Sequence, residues 1–512
     1  MIEAREKYGP ITLGLFAIVL TGVWAFASGT LGIGLSSGGF PVLIYGSLVV
    51  GFCTSVIALC LAQYGSAHPH EAGCTLIATK LGGPEWGRLC GFYTGGFHTL
   101  AVICTPAANI LVACQLVATL GTIMHPDWIP HRWQIWLIFQ ALNIFYVVAI
   151  KFGFRYMNWV TNIAAAFLLI TFLALLGVLG KSSTGAASND FVWKNVVNET
   201  GWSTTIGVLI GISNIMYIYG PPHWLLNMAE DVKNPSRSLP IAISIQQVGN
   251  IFTLFAFYVA GGYAITDWSA LLTTTYPAPA GALFEQATKS QGGAFALLFC
   301  VVLPTLIGTM SYISANLRLV HGFAATGALP YQDWLLRMDP QGEVPTNLLY
   351  LVAIVNFLLS CIYLGSYVGF TIILSSANLL YALGFFPIFL AFILTKGRYL
   401  GRNGWFKMPI WLGMSCALFS VVYLVLTVII YCLPPLYPVT IENMNWSCVF
   451  GIFGMIFLSV IWKAYAKTRY VGYPDLLEGA GTEPENHHAI IEEDLKHSGN
   501  KGPDERAWEK TS

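Results

Sequence analysis

The stretch from Ser213 to Met228, SNIMYIYGPPHWLLNM, decides how this sequence is interpreted. It is apolar enough to lie in a bilayer, yet Gly220, Pro221 and Pro222 follow one another in its middle. Each proline lacks a backbone N–H and opposes helical geometry in the preceding residue, so the pattern predicts an interrupted helix. In hydrocarbon, an interruption is tolerated only where the backbone faces protein or a water-filled cavity. The stretch therefore indicates a membrane protein with an internal polar cavity.

A second irregular stretch lies near the N-terminus, where residues 21–39 read TGVWAFASGTLGIGLSSGG. Glycines there can interrupt a helix or let two helices pack closely, and the sequence leaves both possibilities open. The two stretches belong to the first and sixth apolar segments, which are corresponding members of two five-helix halves. Paired interruptions at such positions are typical of transporters built on inverted repeats.

Composition places the whole chain in a membrane. The 512 residues are 55% apolar and only 10% charged, whereas about 25% is usual in soluble domains. A spanning helix needs about 20 mainly apolar residues. We predict an all-α protein with twelve spans, at 12–35, 41–64, 90–120, 133–150, 157–180, 202–228, 240–263, 293–317, 346–364, 367–395, 409–431 and 446–465.

The distribution of cations predicts the orientation, because cytoplasmic loops retain Lys and Arg. Of 25 such residues, four lie beyond Tyr470 and four in predicted outer loops, which leaves 17 in inner segments. Both termini are therefore expected in the cytoplasm, as a short segment 1–10 and a disordered tail 471–512. Two sequons in predicted outer segments make Asn198 and Asn445 glycosylation candidates.

No carboxylate lies securely in the middle of a predicted span. All 25 Asp and Glu residues fall at termini, loops or span ends, which leaves His98 in the third span and His223 in the sixth. Because histidine changes charge near neutral pH, both are proton-coupling candidates. Each could instead be a neutral imidazole bonded to a neighbouring helix. Sodium bound by carbonyls at the breaks is an alternative coupling ion.

Charged residues after the sixth span are candidates for a cytoplasmic gate: Glu230, Asp231, Lys233 and Arg237. Ordinary topology-setting charge is the alternative. The pairs His68/His70 and His487/His488 lack further ligands at a suitable spacing, so we expect no metal. We also expect no cofactor and no nucleic-acid partner.

Several segments resemble one known family. Residues 227–243, NMAEDVKNPSRSLPIAI, are similar to the "EE-VKN-SR-vP-ai" signature of the amino acid–polyamine–organocation (APC) superfamily, in particular its fungal amino acid/choline transporter (GABA permease-like) branch. Residues 313–335, ISANLRLVHGFAATGALPYQDWL, resemble the eighth span of that branch and the loop that follows. Residues 34–69 and 83–97 resemble its second and third spans. The likeness covers roughly residues 10–470.

The resemblance implies a secondary transporter with 5+5 inverted repeats, 11–180 and 201–395, followed by helices within 409–465. It implies alternating access, import of an amino acid or related amine, proton symport and a place in the plasma membrane. In that fold the substrate lies between broken helices one and six, and helices three, eight and ten complete the cavity. The matching positions are Trp24, Ala27, Ser28, Gly29 and Thr30 on helix one and Tyr217, Tyr219, Gly220 and His223 on helix six.

The chain also departs from the family pattern. Pro221-Pro222-His223 stands where the family commonly has "G-[YF]-D", and Ala62-Gln63-Tyr64 where it commonly has "AEF". Each change removes a negative charge, so a carboxylate-bearing zwitterion is favoured over choline or a polyamine. A nutrient-sensing receptor on the same scaffold is the alternative function. An intramembrane enzyme would need a nucleophile with a base, a metal cluster or paired acids in its spans, and the sequence has none.

Overall fold

The fold is mainly helical in the part of the chain that the computed structural model describes. This part comprises residues 9–470 and 472, without 71, 183–186, 221, 230–231, 340–343, 402–403 and 441–442, and without the side chains of 158 and 367–374. The tail 471–512, apart from Gly472, and residues 1–8 lie outside it. The helices are α1 (Pro10–Thr21), α2 (Val23–Ser36), α3 (Gly39–Ala67), α4 (Gly73–Met124), α5 (Arg132–Gly153), α6 (Met157–Ser182), α7 (Asn189–Trp193), α8 (Thr204–Tyr219), α9 (His223–Leu226), α10 (Pro235–Ala264), α11 (Trp268–Leu272), α12 (Ala280–Thr288), α13 (Gln291–Ala325), α14 (Gln332–Leu335), α15 (Thr346–Gly365), α16 (Tyr367–Leu394), α17 (Ile410–Tyr431), α18 (Ser447–Ile461) and α19 (Lys467–Arg469).

Short irregular elements complete the chain. A 3₁₀ turn, Phe154–Tyr156, precedes α6, and a π-helical turn, Trp462–Ala466, follows α18. Strands β1 (Ser37–Gly38) and β2 (Val197–Asn198) pair antiparallel, with Ser37 opposite Asn198. This pair fixes the end of α2 against the segment that leads into α8.

Eleven helical segments in the described residues are long and apolar enough to cross a membrane. They coincide with eleven of the predicted spans, α1 and α2 together forming the first. The predicted sixth span is different, because its helix α8 has only 16 residues before it ends at Tyr219. Large apolar side chains on α5, α17 and α18 are exposed, including Phe145, Val422 and Phe453, as expected of faces that contact lipid. The chain is an integral, multi-pass membrane protein.

The third span differs from its predicted limits of 90–120. Helix α4 runs from Gly73 to Met124, but Gly83 interrupts it with φ 61° and ψ −161°. Residues 73–82, which were predicted to be a loop, are therefore a separate helical segment before the kink. The prediction failed there because these residues lack the uninterrupted apolar run on which span detection relies.

Two hydrophobic clusters build the interior. One includes residues of α9 and α14 as well as Tyr470, which follows α19. The other includes residues of α7, α11 and α12. Tyr217 packs against both clusters. The molecule therefore has two packed halves that meet at the sixth span.

Candidate functional site

The first span is interrupted at a single residue. Gly22 separates α1 from α2 and adopts a left-handed conformation, with φ 44° and ψ 39°. Its N–H donates to the Ile18 carbonyl at 2.9 Å, and its carbonyl accepts from Ala25 and Phe26 at 2.8 and 3.0 Å. The helical hydrogen bonding therefore resumes at once on both sides of the break. Glycine is favoured at this position, since the left-handed conformation costs most other residues about 1–2 kcal/mol.

The sixth span is opened more widely. Helix α8 ends at Tyr219, and Gly220 follows with φ 43° and ψ 142°. Its N–H makes a long 3.4 Å bond to the Met216 carbonyl. Helix α9 then begins at His223 and lasts four residues. Pro222 precedes it, whereas Pro221 lies outside the described residues.

A cavity of about 130 Å³ lies between the two breaks. Thr21 and Phe26 line it from the two sides of the first break, and Tyr219 and His223 from the two sides of the sixth. Helices α3, α4, α13, α16 and α17 close it, and the polar and aromatic side chains that they contribute are Thr54, Thr105, Asn109, Tyr312, Asn378, Tyr381, Phe385, Tyr423, Thr427 and Tyr431. Within the described part of the chain, no Asp, Glu, Lys or Arg lines it.

Hydrogen bonds hold several cavity side chains. The Tyr217 hydroxyl donates to Asn109 Oδ1 at 3.1 Å, which ties α8 to α4. The hydroxyls of Tyr312 and Tyr381 lie 3.0 Å apart and join α13 to α16. The hydroxyl of Tyr219 is buried and has no hydrogen-bond partner among the described residues. The cavity therefore presents neutral donors and acceptors on a largely aromatic wall.

The predicted residues of helix one are not in this wall. Trp24, Ala27, Ser28, Gly29 and Thr30 are all buried within α2. The Trp24 ring packs 5.5 Å from Phe172, and Ser28 Oγ donates to the Trp24 carbonyl. A side chain at Gly29 would overlap Val112 of α4. Of the glycines in this stretch, Gly22 makes the break, and Gly29 permits close packing.

The predicted residues of helix six do line the cavity: Tyr217, Tyr219, Gly220 and His223. The cavity also receives side chains from α4, α13 and α16, which include the expected third, eighth and tenth helices. Sequence reasoning missed their individual residues, and it missed α17 altogether. The sequence does carry a signal for Asn109 and Asn378, since a side-chain amide is unusual in an apolar span.

The two span histidines meet beside the cavity. His98 of α4 and His223 have ring centroids 5.4 Å apart. Tyr381 lies 5.7 Å from the first ring and 5.0 Å from the second. Phe385 lies 4.7 and 5.2 Å from the same two rings. His223 lines the cavity, whereas His98 lies behind it with no exposed surface.

Comparison with known sequences now assigns the family. Residues 12–456 match the family described as amino acid permease, which is most of the chain. The chain belongs to the amino acid permease family. This places it in the APC superfamily and confirms the resemblance found in its motifs.

The permease is similar to transporters of several substrates. A choline transporter of Saccharomyces cerevisiae is 27% identical over 88% of this chain and 80% of its own. An amino-acid permease of Arabidopsis thaliana is 26% identical over 89% and 90%. A polyamine transporter of S. cerevisiae is 24% identical over 86% and 72%. The protein is accordingly a transporter and not an enzyme.

The gate candidates of the permease lie at the start of α10. Arg237 is exposed, and its guanidinium carbon lies 5.5 Å from the centre of the Trp405 ring. Lys233 is also exposed, and its carbonyl accepts a bond from the Ser238 hydroxyl. Glu230 and Asp231 lie outside the described residues. The guanidinium of Arg237 therefore makes a cation–π contact with the Trp405 ring.

Both sequon asparagines take part in the fold of the permease. The Asn198 amide nitrogen donates to the Trp202 carbonyl at 2.7 Å. The Asn445 amide nitrogen donates to the carbonyls of Tyr431 and Leu433, both at 2.7 Å. A glycan replaces one hydrogen of the amide nitrogen, so at Asn445 it would remove one of the two bonds.

Proposed function

We propose that the permease is a secondary active transporter that imports a small amino acid or related amine by alternating access, in symport with protons. Its twelve spans would comprise the eleven long helices and the interrupted sixth span. The segments 11–180 and 201–395 would form two inverted five-helix repeats, and helices within 409–465 would follow them. Both termini would lie in the cytoplasm, with the protein in the plasma membrane.

One observation carries the proposal: a single cavity has walls from both sides of both broken spans. Thr21 and Phe26 flank the Gly22 break, and Tyr219 and His223 flank the other break. Broken helices at the first position of each repeat are where transporters of this kind bind their substrates. A solute held there contacts two short segments on each broken helix, so its binding can bias how these segments are arranged.

The breaks offer complementary electrostatics to a zwitterion. The first amides of α2 lie directly after Gly22, and a helix N-terminus favours a carboxylate. The last carbonyls of α8 lie before Gly220, and a helix C-terminus favours a cation. A solute with a carboxylate and an ammonium group can therefore satisfy both ends without a charged side chain.

The cavity wall narrows the range of substrates. The cavity, at about 130 Å³, is much smaller than the roughly 300–1,000 Å³ pockets that hold drug-sized ligands. Six tyrosines face it, and aromatic faces attract ammonium groups, quaternary ones above all. Primary ammonium groups of a polyamine would lose hydration without gaining a carboxylate partner. We therefore favour a small zwitterion or methylated amine over a polyamine.

The direct test is uptake by yeast that lacks its own amino acid and amine permeases. Cells producing the protein would be given radiolabelled amino acids, choline, GABA and spermidine in turn, with and without a protonophore. We expect saturable, protonophore-sensitive accumulation of one zwitterion or methylated amine, and none of spermidine. Binding without accumulation would contradict transport and favour a receptor, and accumulation that depends on sodium alone would contradict proton symport.

A further inference from the structure

The contact between His98 and His223 joins two distant parts of the chain. His98 belongs to α4, and His223 is the first residue of α9, directly after the break in the sixth span. Their ring centroids are 5.4 Å apart. Tyr381 and Phe385 of α16 pack against both rings. His223 in the cavity wall is therefore backed by a second imidazole, that of His98.

His98 is not held as a structural histidine usually is. It is 0% exposed, and neither of its ring nitrogens has a hydrogen-bond partner among the described residues. Buried polar groups are normally hydrogen-bonded, because an unpaired one costs free energy. Space for the ring depends on Gly384 of α16, where any side chain would overlap it. The fold thus accommodates an imidazole whose nitrogens no described side chain satisfies.

Few other groups near the pair can change charge. Tyr381 of α16 packs against both rings. The hydroxyl of Tyr312 of α13 contacts the hydroxyl of Tyr381. Tyr217 and Tyr219 of α8 line the same cavity. Phenols ionise near pH 10, whereas imidazole changes charge between about pH 5 and 8. Among the described residues, no Asp, Glu, Lys or Arg lines the cavity to compensate a charge there.

Two charged rings cannot coexist at this distance. Like charges repel strongly in a low-dielectric interior, so the first proton bound by either ring opposes a second. Closely coupled groups of this kind titrate as one unit. His223 lines the cavity, and His98 extends the pair to the contact between α4 and α16.

We propose that His98 and His223 together form a binding site for a single proton. Its transport role rests on the proposed function: the proton held by the pair is the one that accompanies the substrate. His223 exchanges this proton with the cavity. His98 shares the charge. Through His98, the packing of α4 against α9 and α16 depends on whether the proton is bound.

Proton binding can be measured without any substrate. The full-length protein, labelled with ¹⁵N-histidine and placed in nanodiscs, would be titrated by NMR between about pH 8 and 5, where histidine changes charge. The pair's uptake is the difference between wild type and a His98→Gln, His223→Gln double variant. We expect one proton. Zero protons would show two permanently neutral rings, and two would show independent rings, so either result overturns the proposal.

Further variants keep the test decisive if the double variant does not fold. Gly384→Ala leaves both histidines in place but crowds the His98 ring, so it should shift the pair's titration. His125→Gln changes an exposed histidine at the end of α4 and should leave that titration unchanged. An unchanged titration in Gly384→Ala, with the fold intact, would contradict a role for His98 in the site.

Two transport assays test the proton site and the proposed function separately. Exchange of labelled for unlabelled substrate across the membrane needs only the cavity, whereas accumulation also needs substrate movement to be coupled to proton movement. With radiolabelled choline and a mixture of amino acids as probes, we expect His98→Gln to retain exchange and to lose protonophore-sensitive accumulation. Accumulation at the wild-type level would overturn the proton site alone. Failure of the wild-type protein to exchange or accumulate any probe would overturn the proposed function, while the proton count would still decide the site.

Discussion

The two broken spans serve one cavity in different ways. At Gly22 one residue adopts the left-handed conformation, and helices of 12 and 14 residues continue on its two sides with their hydrogen bonds intact. In the sixth span the break includes Gly220 and Pro222, and the helix after it has only four residues. The first break is a one-residue interruption between two long helices. The second leaves more backbone without helical partners, so it offers more polar groups to the cavity.

The difference follows from the residues at each break. Gly22 is needed for its left-handed conformation, which asparagine also tolerates. Gly220 has φ 43° and ψ 142°, a combination that residues with a side chain rarely adopt. The prolines next to it cannot donate to a helix, so the opening persists whatever surrounds it.

The largest effect is expected for Gly220→Ala. The new side chain meets no atom within 4 Å, so strain of the backbone is the main cost, about 1–3 kcal/mol. Unfolding of the purified protein in SDS-containing micelles measures it, and uptake should be lost as the break changes shape. Gly177→Ala in α6 is the matched control, since a side chain there also meets no atom within 4 Å. Equal behaviour of the two variants would contradict the strained geometry at Gly220.

Asparagine distinguishes the two breaks. Gly22→Ala should cost about 1–2 kcal/mol, because alanine resists the left-handed region, and Gly22→Asn should recover much of that loss. The same replacement in Gly220→Asn should bring no recovery relative to Gly220→Ala. Unfolding and uptake of the four variants measure these differences. If asparagine helps equally at both positions, the two breaks do not differ in the way described.

The smallest effect is expected for a pair of tyrosine variants. The hydroxyls of Tyr219 and Tyr258 are both buried without a hydrogen-bond partner among the described residues, but only Tyr219 lines the cavity. Tyr219→Phe should raise the apparent KM for uptake by a few-fold, since a hydrogen bond contributes about 0.5–1.5 kcal/mol. Tyr258→Phe should leave KM unchanged. A larger effect at Tyr258 would show that the Tyr219 hydroxyl does not face the substrate.

The candidates that the sequence offered in the sixth span line the cavity, and those that it offered in the first span do not. Two prolines after a glycine interrupt a helix wherever they occur, so Tyr217, Tyr219, Gly220 and His223 could be placed beside a break. In the first span, several glycines compete for that role, and packing against other helices selects Gly22. Asn109, Tyr312 and Asn378 were not predicted, because uncharged residues in separate spans give no sign that they converge.

The sequence by itself determined which segments enter the membrane, that the sixth span is broken, and the family to which the chain belongs. These features depend on local composition, on the missing N–H of proline and on motifs within single segments. Only the tertiary structure decided which glycine breaks the first span, that α17 closes the cavity, and that His98 lies against His223. Such contacts join residues far apart in the chain, and they depend on which helix faces meet when the bundle packs.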